Sequence, residues 1–166
     1  MKKLSVLFTA VAMFMAVGFA KAQKIAVLDV AAVLNAMPEK KKADAQLEAY
    51  SKTKQEEIKK QNESAQALFK KYQEEAPKKT EAENKARETE LQQLSEKIQK
   101  MTQTAQEDFF KKRDEAYAPI EKKFNEAVTK AAKANGWEFV IDALSQDFIY
   151  KNGPDATPAV KKELGL

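Results

Sequence analysis

Between Gly18 and Gly136 the chain has no glycine, and its only prolines there are Pro38, Pro77 and Pro119. These two residue types interrupt helices, one through excess backbone freedom and the other through a missing amide donor. So long a stretch without them, rich in Ala, Glu, Lys and Gln, is predicted to be helical almost throughout. Little of that helix can be buried. From Ser51 to Glu90 the only large apolar residues are Ile58, Leu68, Phe69 and Tyr72, too few for a globular core.

The rod is predicted to fold back on itself. Ala76 precedes Pro77 and is thereby disfavoured from the helical region, and Thr80-x-x-Glu83 forms a capping box that restarts a helix. A hairpin centred on Lys78 opposes Ala65 to Leu91, Ile58 to Ile98 and Leu47 to Phe109, so apolar positions meet. The first helix, starting near Glu39, spans about 55 Å at about 1.5 Å rise per residue. On the returning helix Leu91, Leu94, Ile98, Met101, Ala105 and Phe109 recur in steps of three and four, a narrow stripe of coiled-coil type. Adjacent Leu68 and Phe69 point about 100° apart, so both cannot enter one two-helix seam and at least one faces outward.

Pro119 is expected to kink the second helix at its base. Beyond it Ile120, Phe124, Ala127, Val128, Ala131 and Ala134 make a wider apolar face, which implies burial, and Gly136 is placed to end the helix. Ile25 to Asp29 reads as a strand, and Glu138 to Asp142 with Phe148 to Tyr150 as two strands joined by a short turn. After a Gly153-Pro154-Asp155 turn, Thr157 as N-cap, Pro158 at the first position and Gly165 past the end define a short helix. The fold class is therefore mostly α with a small β body, a long antiparallel helical hairpin projecting from it. Residues 23–38 and 115–166 form this body and residues 39–114 the arm. At 68 residues the body falls below the roughly 70 to 80 that usually supply a sufficient core, and its sheet edges are unpaired, so self-association through it is expected. Ile25, Val27, Phe139, Ile141, Phe148 and Tyr150 are the candidate oligomerisation residues.

Residues 1–22 read as a secretory signal. Lys2 and Lys3 precede an apolar run from Leu4 to Phe19, and Ala20-Lys21-Ala22 is a small-x-small cleavage site that leaves Gln23 first. The rival reading is an uncleaved anchor, since 17 residues from Leu4 to Ala20 sit at the lower limit for spanning a bilayer. Such a segment marks a chain for export. Loss of Lys2, Lys3 and Lys21 leaves 26 basic against 25 acidic residues, so the basic excess that a nucleic-acid binder needs is gone. The lysine pairs along the arm lie beside Glu or Asp and read as solvated helix surface.

The chain has no histidine and no cysteine, which removes the commonest metal ligands, the usual acid-base residue, disulfides and thiolate chemistry. Asp29, Asp142 and Asp147 at strand ends suit turns and caps better than catalysis. No phosphate loop or nucleophile motif is present. No enzymatic activity, metal or cofactor is expected.

Several features in order resemble the Skp or OmpH-like periplasmic chaperones of outer-membrane proteins. They are the strand Lys24 to Asp29, Val33-Leu34-Asn35 before a proline, the charged hairpin, Ala118-Pro119-Ile120 ahead of Gly136, the Phe139-Val140-Ile141-Asp142 strand and Asp155-x-Thr157-x-x-Val160. The resemblance implies a homotrimer whose three arms enclose a cavity and hold unfolded β-barrel proteins without ATP, with no stable membrane insertion. Leu68, Phe69, Tyr72, Leu91, Leu94 and Met101 are then the candidate client contacts on the arm. Family members noted for binding lipopolysaccharide are strongly basic, and this near-neutral chain inherits no such site. A structural coiled-coil spacer of the envelope is the alternative, and it would show a dense, continuous heptad pattern without the break at Pro77.

Overall fold

The computed structural model describes residues 24–166, and the predicted export segment lies outside the described residues. The elements are β1 (Ile25–Leu28), α1 (Val30–Ala36), α2 (Pro38–Glu75), a 3₁₀ turn (Ala76–Lys78), α3 (Glu81–Asn135), β2 (Phe139–Asp142) and α4 (Thr157–Leu164). They form two compact units, one of residues 24–33 with Glu126–Leu166, the other Leu34–Asn125. Among the described residues no helix is long and apolar enough to cross a membrane.

The Leu34–Asn125 unit is the hairpin. Pro38 opens α2 behind Met37, whose backbone is extended at φ −68° and ψ 123°, because a proline at the first helical position loses no helical hydrogen bond. The helix ends at Glu75, and Lys79 turns extended at φ −112° and ψ 154°. The capping box then forms as expected. Thr80 Oγ1 accepts the Glu83 N–H at 3.2 Å and Glu83 Oε2 accepts the Thr80 N–H at 2.9 Å. Ala65 and Leu91 border one inter-helix groove, and Leu47 and Phe109 another. The polar cross-pairs Glu39 with Lys123, Asp44 with Tyr117, Tyr72 with Glu90 and Glu75 with Arg87 are centred near residue 81 rather than Lys78. Side chains lean toward the N-terminus of their own helix. A residue of α2 therefore leans away from the turn and meets a residue of α3 that lies farther from it.

Inward-facing positions step by three and four along both helices, on α2 from buried Leu47 through half-buried Ser51, Lys54, Ile58, Gln61, Ala65, Leu68 and Tyr72. The geometric heptad is continuous, yet Ser51, Lys54 and Gln61 fill it with polar groups, and only Ala43 and Leu47 of α2 are fully buried. α3 runs through Pro119 without ending.

In the other unit β1 and β2 pair in parallel, Ile25 beside Phe139 through Leu28 beside Asp142. This corrects the expected hairpin of residues 138–142 with 148–150, since Phe148 to Tyr150 form no strand. The turn after β2 closes on itself instead. Asp142 Oδ1 accepts the Leu144 N–H at 3.0 Å, and the Lys151 ammonium donates to the carbonyl oxygens of Asp142, Ala143 and Ser145. The chain is thus held short of an antiparallel return. The other edge of β1 is taken by residues 154–156, with the Val27 N–H donating to Pro154 O at 2.9 Å and the Ala156 N–H to Val27 O at 2.7 Å.

Two ends are capped by geometry that only glycine adopts easily. At Gly136, φ +69°, the Gly136 and Trp137 amides donate back to Lys133 and Ala132 carbonyls, which closes α3 in a Schellman motif. Gly165 ends α4 in the same way. At the start of α4 the capping expectation is corrected: the N-cap is Ala156, and Thr157 lies inside the helix. Ala26, Leu28, Val33, Ala127, Ala131, Ala156 and Val160 form the buried core of this unit.

Candidate functional site: the exposed faces of the hairpin

Of the six arm residues expected to meet clients, Phe69 alone is largely exposed, at 57% of its surface. Its neighbour Leu68 turns into the seam, as two adjacent helical residues must when one is buried. Leu91, Leu94 and Met101 are half-buried along the seam of α3. Tyr72 is also half-buried and tied down. Its hydroxyl donates to Glu90 at 2.6 Å, and the Arg87 guanidinium, itself bonded to Glu75, lies 4.4 Å from its ring centre. The bond to Glu90 raises the Tyr72 phenol above its ordinary range, and the bond from Arg87 lowers the Glu75 carboxyl.

Phe110 is exposed at 53% and was missed by the sequence reading. It packs edge-on against Phe109 with ring centres 6.0 Å apart and carries the Arg113 guanidinium at 5.1 Å. The signal was present: Phe109 and Phe110 are adjacent, and the reasoning applied to Leu68 and Phe69 sends one of them outward.

Two grooves open between the helices on one flank. The first, about 320 Å³, is lined by Asn62, Ala65, Gln66, Phe69, Leu91, Ser95 and Ile98. The second, about 280 Å³, is lined by Ile58, Ala105, Phe109 and Phe110 with Ser51, Gln55, Thr102 and Gln106 at its margins, and Tyr50 and Lys54 at the seam. Small residues at seam positions, Ser51, Ala65 and Ala105, leave these gaps. At the base of the hairpin Asp44 accepts from Lys40 at 2.7 Å and from the Tyr117 hydroxyl. The Lys40 bond, then the Tyr117 bond, lowers the Asp44 carboxyl, and the same contact raises the Lys40 ammonium.

In the β-containing unit Phe139, Phe148 and Tyr150 are exposed, Ile25 is partly so, and Val27 and Ile141 are half-buried. Leu144 and Ile149, not singled out from sequence, are exposed too. Among the described residues no strand pairs with the outer edge of β2. The three strand-end carboxylates make turn and cap hydrogen bonds: Asp29 Oδ1 accepts the Ala32 N–H at 2.8 Å, Asp142 accepts from Leu144, and Asp147 accepts from Ser145 Oγ at 2.9 Å. Among the described residues no group of His, Cys, Asp or Glu is arranged to hold a metal ion.

No curated protein matches the chain at a significant level. A solved structure named as an outer membrane chaperone (OmpH-like) from Caulobacter crescentus CB15 is similar in fold, with a TM-score of 0.73 at 14% identity over 86% of this chain and 84% of that one. The family model described as outer membrane protein (OmpH-like) matches residues 24–164. That match spans most of the chain, its helical hairpin and its small sheet included, and the chain belongs to the OmpH-like family.

Proposed function

We propose that this protein is an ATP-independent holding chaperone of the periplasm, which binds unfolded outer-membrane β-barrel proteins along its helical arms and keeps them soluble in transit. The observation that carries this reading is the pair of exposed phenylalanines, Phe69 and Phe110, on a hairpin whose seam is too polar to need them. Isolated aromatic anchors on a charged rod bury a little client surface each, and several weak contacts together hold a chain without fixing its conformation. The OmpH-like family membership and the chaperone name of the similar structure support the client class.

Self-association runs through the β-containing unit, whose exposed Phe139, Leu144, Phe148, Ile149 and Tyr150 accompany an unpaired strand edge. A homotrimer is the copy number that the family likeness favours, and arms from separate copies then face a shared client. The test is the aggregation of an unfolded β-barrel membrane protein diluted from urea, with light scattering to give the mass of the chaperone starting at residue 23. Suppressed aggregation by an oligomer supports the reading. A monomer that leaves aggregation unchanged overturns it.

A further inference from the structure

The two flanks of the hairpin differ in chemistry. On α2 Gln55, Asn62 and Phe69 recur every seven residues, and on α3 Ser95, Thr102 and Phe109 do the same. A spacing of seven returns to the same side of a helix after two turns, and these residues line the two grooves described above. The tip-side groove contains no ionisable residue, and the other contains Tyr50 and Lys54, whose ammonium is held by Glu57 at 2.6 Å. The groove at the opposite flank, around the same Ile58 and Ala105, is lined by Glu57, Lys97, Lys100 and Asp108. In a chain of which a third is charged, this stretch of the flank, between Phe110 and Phe69, is amide and hydroxyl over an apolar floor with Lys54 at its margin; charge returns toward the base, where a further groove brings Asp44, Glu48, Lys52 and Arg113 beside Ser51, Gln55 and Phe109.

From this asymmetry we infer that the uncharged flank is a track for one extended, uncharged polypeptide segment with apolar residues at alternate positions. The inference rests on the holding function proposed above and assigns its client chemistry. The side chains of Gln66, Ser95 and Gln106 make no hydrogen bond within the described residues, and those of Asn62 and Thr102 donate only to carbonyls of their own helices, leaving their oxygens free to accept. Amide and hydroxyl groups supply both donors and acceptors, which suits a strand whose N–H and C=O groups are unpaired. A helix, with its own groups satisfied, has no use for them, and a nucleic acid or anionic lipid surface would require positive charge on this flank. Alternate apolar side chains of the strand reach the floor formed by Ile58, Ala65, Leu91 and Ile98.

The length agrees. Tyr50 and Phe110 border one groove, so Phe69 lies about nineteen residues nearer the tip, or about 28 Å at about 1.5 Å rise per residue. That distance accommodates an extended segment of about eight to nine residues, close to the roughly 9 to 11 of a strand that crosses an outer membrane.

The test uses the full exported chain and fluorescence anisotropy with end-capped, nine-residue peptides, one alternating valine with serine and one with lysine and glutamate in place of alternate valines. The wild-type protein binds the first and not the second. Gln66→Glu with Gln106→Glu, which adds charge without changing shape, weakens the first peptide about tenfold, whereas Thr104→Glu on the opposite flank leaves it unchanged. Should the double variant lose helical circular dichroism, Phe69→Ser decides, with a loss of at least about threefold expected. Equal affinity for both peptides, or equal weakening by charges on either flank, overturns the track. A wild-type protein that fails to suppress aggregation of an unfolded β-barrel overturns the holding function itself. Suppression unaltered in the Gln66→Glu, Gln106→Glu variant overturns the track alone.

Discussion

The backbone N–H of Asp29 donates to Thr157 Oγ1 at 3.0 Å, across 128 residues of sequence. Asp29 ends β1 and caps α1 through its carboxylate, so one hydroxyl from the first turn of α4 fixes the place where a strand becomes a helix. Asp155 completes the joint by accepting the Thr157 N–H at 2.8 Å, and the Thr157 hydroxyl first, then this amide, holds the Asp155 carboxyl below its ordinary range.

Thr157→Val keeps the shape and removes the acceptor, leaving the Asp29 amide without its partner. A loss of about 1 to 2 kcal/mol in unfolding free energy is expected, read from urea denaturation, with Thr157→Ser close to wild type.

Gly153 and Gly136 respond differently to alanine. A Cβ at Gly153 would sit 2.4 Å from the Ile25 carbonyl oxygen, so the 154–156 segment must move off β1; a cost of at least about 2 kcal/mol and faster hydrogen exchange at Val27 and Ala156 are expected. At Gly136 nothing crowds the added methyl and only the positive φ is strained, for about 1 kcal/mol.

The Glu83 carboxyl is held down to about 2, first by the Thr80 amide and then by Lys79 and the Thr80 hydroxyl. A carboxylate with a lowered folded-state pKa contributes most above its unfolded value of 4.5, and that contribution fades as pH falls from there through about 2. An NMR titration of the Glu83 side-chain carbon should have its midpoint near 2, with fraying of the first turn of α3 over the same range. In Glu83→Gln that acid-induced fraying should be absent.

Phe69→Ser combined with Phe110→Ser should weaken holding of an unfolded β-barrel about tenfold in an aggregation titration. Both rings are largely solvent-exposed, so the helical circular dichroism and the oligomer mass should not change.

Phe148→Asp with Ile149→Asp places two charges on the exposed apolar loop after β2. Light scattering should show the mass of a single chain, with the hairpin still helical, because none of its hydrogen bonds involves these residues. An unchanged mass would remove this loop from the interface.

Features written into adjacent residues were legible without coordinates. The hairpin break, the Thr80–Glu83 box, the outward turn of one of Leu68 and Phe69, and the Gly136 stop each depend on a few neighbours and on helical geometry, which the side chains dictate directly. α1 escaped notice because seven residues carry too little periodicity to register. Phe148 to Tyr150 looked like a strand because β-branched and aromatic residues favour extended structure. The Lys151 ammonium, binding three carbonyls of the preceding turn, overrides that preference.

Sequence by itself determined that this chain is a doubled, lightly packed helical rod with a small β-containing unit, since the spacing of glycine, proline and apolar residues leaves no other way to satisfy the backbone. Only the tertiary structure decided which strand pairs with β1, what Thr157 holds, that Tyr72 is clamped while Phe110 is free, and that the uncharged residues of two helices share a flank. Those outcomes depend on which distant groups arrive within hydrogen-bonding or van der Waals reach, and such distances are set by the packing of the whole unit rather than by any local run of residues.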